Sequence, residues 1–138
     1  MSMVARRYFV RGRELLRRGQ LDDAEREFAA AVDLAPNFVE ARIGHALTLA
    51  RSDPPRAAQS LRTGLTRSSR APERRLLLAA LGDVLVQGGD FPGAEEAYAE
   101  AAQLGFASAK LHDRLARLRA KTGRFADSLG ELLAASRR

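Results

Sequence analysis

Apolar and small residues recur three and four positions apart along almost the whole chain, and the pattern breaks at glycines, prolines and short polar runs. Tyr8, Gly12 and Leu15 share one side of a predicted helix over 4–18, which stops at Gly19. A second helix, 21–35, opens at Asp22–Asp23 and ends before Pro36, because a residue preceding proline is pushed out of helical geometry. A third, 38–51, carries Ile43, Ala46, Leu47 and Leu49. Asp53–Pro54–Pro55 reads as the capped start of a fourth, to about 67, with Ala57, Leu61 and Leu65 in register. Arg67 to Pro72 forms the longest break. A fifth helix then carries Leu78, Leu81, Gly82 and Leu85 and ends at Gly88–Gly89, as a left-handed cap would end it. A sixth spans 91–104. A seventh, capped by Ser108, carries Leu111, Leu115 and Leu118, and an eighth runs from Phe125 to near Ala135.

One small–aromatic–small pattern returns along these helices. It is clearest as Ala24, Phe28, Ala31 and Pro36, and again as Ala94, Tyr98 and Ala101. Gly12 stands twelve residues before Ala24, and Gly82 twelve before Ala94. A fixed period of a few tens of residues marks a stack of one helix–turn–helix unit, in which small residues let backbones approach.

The residues resemble the tetratricopeptide repeat (TPR) family, whose units are helix pairs of 34 residues. Repeat one matches at Tyr8, Gly12, Leu15, Gly19, Ala24, Phe28, Ala31 and Pro36; repeat three at Leu81, Gly82, Leu85, Gly89, Ala94, Tyr98 and Ala101. Repeat four is weaker, with Leu115, Ala116, Gly123, Ser128, Leu132 and Ala135. Repeat two departs most: Arg42 and His45 stand in slots usually apolar, Gly64 replaces the second alanine, and the turn glycine is missing. Ala24, Ala57, Ala94 and Ser128 are 33, 37 and 34 residues apart, so repeat two reads as short with a long exit loop. The resemblance implies an all-α fold, a right-handed superhelix of four TPR-like repeats and about eight helices. The whole chain, 1–138, is then one domain with repeats near 5–37, 38–71, 72–107 and 108–136.

Composition narrows the function. The chain has no cysteine, which removes disulfides, thiolate metal sites and cysteine nucleophiles together. Its N-terminus carries charge where a signal peptide needs an apolar core, and a soluble, cytoplasmic protein is expected. Of 23 basic residues only Lys110 and Lys121 are lysine, a bias that points to a G+C-rich, bacterial source. The net charge of +6 is uneven: residues 71–104 carry two arginines against six acids and interrupt any continuous basic stripe.

Catalytic patterns are absent from the sequence. His45 and His112 are the only histidines, with no partner at metal-ligand spacing, and no phosphate loop or nucleophile elbow is present. His45 falls on the buried side of its helix, and His112–Asp113 reads as a solvated pair. The acids at 22–27 and at Glu95, Glu96 and Glu100 suit helix N-terminal turns. A non-enzyme without metal or cofactor is expected. Single-strand nucleic-acid binders interleave cations with free aromatics, and here Phe9 alone is left outside packing slots.

In the family, first helices line a concave groove that holds an extended peptide or a helix. That resemblance assigns Arg6, Phe9, Arg13 and Arg17 of repeat one to the groove, with Ile43, Leu47 and Arg51 of repeat two. Repeat three contributes Leu76 and Asp83, and repeat four Lys110, Arg114, Arg117 and Lys121. The groove is therefore expected to be apolar in the middle and basic at both ends, suiting apolar anchors flanked by acids. The family's carboxylate clamp needs lysine, asparagine and arginine where repeats one to three have Phe9, Arg13, Gly44, Leu76 and Ala80 and repeats two to four have Ile43, Leu47, Ala80, Lys110 and Arg114. Only the last pair agrees, so no chaperone-tail clamp is expected. The leading expectation is a non-catalytic adaptor for another protein. Two alternatives stand: a scaffold that self-assembles through an uncovered C-terminal helix bearing Leu129, Leu132 and Leu133, and a basic nucleic-acid-binding repeat protein.

Overall fold

The computed structural model describes residues 2–105 and 111–121. Six helices follow in order: α1 (Met3–Arg17), α2 (Leu21–Leu34), α3 (Val39–Leu49), α4 (Pro54–Arg67), α5 (Ala71–Gln87) and α6 (Phe91–Gln103). Residues 111–121 form a further helical segment, α7, and no strand occurs among the described residues. The expected eighth helix and the cap Ser108 lie outside the described residues.

Local chemistry sets the ends. The Ser2 hydroxyl accepts from the amides of Val4 and Ala5 at the start of α1. Asp53 and Asp90 do the same for Arg56 and Gly93, at 3.2 and 3.0 Å, and prolines occupy the first turns of α4, α5 and α6, where an amide hydrogen is not needed. Gly19 and Gly89 stand at φ +76° and +85°, conformations that a side chain disfavours. Behind each, the next amide folds back five residues, from Gln20 to the Leu15 carbonyl and from Asp90 to the Leu85 carbonyl. Repeats one and three thus turn by the same device.

Helix pairs α1/α2, α3/α4 and α5/α6 pack antiparallel, and each second helix wedges between its own first helix and the next one. Phe28 of α2 shows the wedge: it is buried between Gly12 of α1 and Gly44 of α3, where added methyl groups would come within 2.6 and 2.9 Å of the ring. Tyr98 covers Gly82 in the same way. Contact runs directly from α1 to α3 and from α3 to α5, and contact between second helices is slighter. The array therefore curves with its first helices on the inner side.

Repeat two reaches the same packing by another route. Arg42 occupies its core slot and is only 7% exposed, with Gly64 opening the space for its stem: a methyl there would lie 2.7 Å from Arg42 Cδ. His45 is half-buried rather than fully inside. The expected long exit loop is corrected. Only Ser68, Ser69 and Arg70 separate α4 from α5; Pro72 lies within the first turn of α5, and the extra residues lengthen that helix to 17. A proline that ends one helix in the sequence pattern instead starts the next. Arg74 holds the joint by donating to the carbonyls of Leu65 and Ser68 at 2.7 and 3.0 Å.

Candidate binding groove

The inner face is built from α1, α3, α5 and α7. Its apolar centre lies on α3 and α5, where Leu47 and Leu76 are 42% and 47% exposed, as far as Leu16 and Leu34 elsewhere on the surface. Ile43 and Ala79 lie half-buried against the core beside them. Phe9 is not part of the open surface. Its ring packs at 5.0 Å from Phe38 and 5.9 Å from Phe28, and the Arg13 guanidinium lies over it at 5.5 Å. Phe38 arrives from the turn before α3, a neighbour that spacing within α1 does not reveal.

The basic residues divide by end. From Met3 to Arg18 there are six arginines against Glu14 alone, and Glu14 pairs with Arg17 at 3.9 Å and Arg18 at 3.3 Å. Arg6 and Arg13 face solvent without a carboxylate partner among the described residues. The other end is paired: Arg114 meets Asp83 at 3.1 Å and Arg117 meets Asp113 at 3.1 Å. Lys121 stands over the Phe91 ring at 4.8 Å. Arg51 meets Asp22 at 3.2 Å and donates to the Thr48 carbonyl. Lys110 lies outside the described residues. Exposed pairs are individually weak, but each replaces a net charge with a dipole, so among the described residues positive potential concentrates at α1.

Asp83 is more than a lining residue. It accepts from the Tyr98 hydroxyl through one oxygen and from Arg114 through the other, which ties α5, α6 and α7 together. Burial, then the hydrogen bond and charge of Asp83, push the Tyr98 phenol well above its ordinary range, with Arg114 opposing. The hydroxyl therefore stays a neutral donor throughout the physiological range. No group of three or more potential metal ligands occurs among the described residues, and none of their helices is long and apolar enough to cross a membrane.

Paired helices stacked in one curved layer define a helical-repeat solenoid. A family model described as tetratricopeptide repeat matches residues 9–52 and 47–110, and the chain belongs to that family of interaction scaffolds. Among solved structures, the first TPR of Spaghetti (RPAP3) bound to the HSP90 peptide SRMEEVD superimposes with a TM-score of 0.76 at 14% identity, covering 89% of this chain and 96% of that one. At that identity the likeness concerns the fold. No curated protein matches the sequence significantly.

Proposed function

We propose that this TPR domain is a non-catalytic adaptor that holds an extended or helical segment of another protein along its first-helix face, in the cytoplasm. The observation that carries the reading is the pair of uncovered leucines, Leu47 and Leu76, on adjacent inner helices. A partner's apolar side chains cover them, and its acidic residues lie toward α1, against Arg6 and Arg13. Arg17, Arg51, Arg114, Arg117 and Lys121 form the rim, several of them exchanging an internal carboxylate for one from the partner. The Spaghetti domain carries a peptide with three acidic residues, which supports an acidic-flanked ligand. The clamp slots argue for a different grip. Phe9, half-buried against Phe28 and Phe38, and Leu76 and Ala80 cannot donate to a terminal carboxylate, so amidating the C-terminus of an acidic peptide leaves its affinity unchanged.

A nucleic-acid role finds less support, because the ring of Phe9 is taken up by Phe28 and Phe38 and offers bases no platform. The test is kinetic. Arg6→Glu with Arg13→Glu slows association with a captured partner roughly tenfold or more at low salt and leaves dissociation nearly unchanged. An unchanged association rate contradicts the acidic-flank reading.

A further inference from the structure

The departure of repeat two leaves a charge without a counterion. Arg42 donates to the Ser60 carbonyl at 3.2 Å, the Ser60 hydroxyl at 3.3 Å and the Pro36 carbonyl at 3.0 Å, all neutral acceptors. These acceptors engage part of its five-donor fork and none of its charge. Among the described residues no carboxylate pairs with it, although a buried guanidinium deprived of a counterion is costly to leave so. Arg67 stands close enough to add repulsion; burial first, and Arg67 second, lower the Arg42 pKa, and an arginine remains charged regardless.

Between these two arginines lies a cavity of about 30 Å³, lined also by Asn37, Gly64, Ser68 and Glu73. Its one carboxylate, Glu73, accepts from the Ser68 hydroxyl at 2.9 Å and pairs at 3.8 Å with exposed Arg70, and it forms no ion pair with Arg42 or Arg67. Arg74 adds a further positive charge at the same joint through its bonds to Leu65 and Ser68. That space accepts one or two water-sized bodies. We propose that the cavity bounded by Arg42 and Arg67 binds a single halide-sized inorganic anion, physiologically chloride, which serves as the missing counterion of repeat two. The site joins the turn before α3, the end of α4 and the start of α5, so its occupancy stiffens the joint that carries Leu47 and Leu76. The proposal is independent of the groove.

Melting the whole chain in chloride, bromide and gluconate at equal ionic strength tests it, with gluconate as the bulky comparison anion. Chloride and bromide raise Tm by about 3 °C or more over gluconate, and the rise saturates with concentration. Arg67→Gln, an exposed position, abolishes that difference, and so does Arg42→Met. Should Arg42→Met not fold, Arg67→Gln and anomalous scattering from bromide crystals decide, the expected peak lying between the two guanidinium groups. Equal melting in all three salts, an increment that survives in Arg67→Gln, or the absence of a bromide peak overturns the proposal.

Discussion

Single side chains decide how closely the helices of this array approach. Gly82→Ala places a methyl against the Tyr98 ring, whose hydroxyl is anchored on Asp83 and cannot swing away. We predict a loss of about 1–3 kcal/mol in urea unfolding. Gly89→Ala meets no neighbouring atom and fails for a different reason, its φ of +85°, at about 1–2 kcal/mol. The two slots look alike in sequence and differ in cause. His45 gives a pH prediction. Burial, the largest cause, lowers its pKa below the ordinary 6.5 despite the opposing charges of Glu25 and Asp33, with Arg56 and Arg42 lowering it further. The unfolded chain therefore takes up a proton first as pH falls, so stability is full above 6.5 and declines below it. His45→Gln flattens that decline in melting curves measured from neutral pH downward; an unchanged slope contradicts the assignment. Phe28 and Tyr98 were legible as packing residues because the repeat pairs each with a small residue at fixed spacing. The ring contacts of Phe9 and the acceptors of Arg42 are invisible in the sequence, since Phe38, Pro36 and Ser60 come from other parts of the chain.

At the scale of elements, the positions of α1 to α6 follow the sequence pattern within a few residues, and the error falls at Pro72. Proline excludes the preceding residue from a helix interior yet suits a first turn, and spacing alone does not say which applies. The 37-residue interval therefore went into α5 and not into a loop. Ion pairs between helices were equally hidden: Asp83 to Arg114 and Glu95 to Arg119 join residues 31 and 24 apart. The first is only part of a junction, because Asp83 also satisfies Tyr98. Asp83→Ala strands a buried hydroxyl and is expected to cost about 1–3 kcal/mol, with faster amide hydrogen exchange concentrated in α7. Asp83→Asn keeps an acceptor for Tyr98 and should lose about half as much. If α7 exchanges no faster in either variant, that junction does not hold it.

For the molecule as a whole, the recurring small–aromatic pair made the solenoid legible, and the family match agrees with it. The distribution of free charge was less legible. A net charge of +6 and arginines at both ends suggest a symmetric groove, but among the described residues pairing with Asp83 and Asp113 leaves α1 the more positive side. The orientation proposed for the partner, acidic end toward α1, rests on that asymmetry. The central claim is that the first-helix face holds a protein segment through Leu47 and Leu76. It is tested most directly by a quantitative pull-down from native lysate with the wild-type chain, Leu47→Glu, Leu76→Glu and Gln59→Glu, the last on the exposed outer side of α4. All four are expected to fold with similar melting temperatures. The account predicts that both leucine variants lose the same captured protein by tenfold or more while Gln59→Glu retains it. Equal capture by all four folded proteins would contradict it.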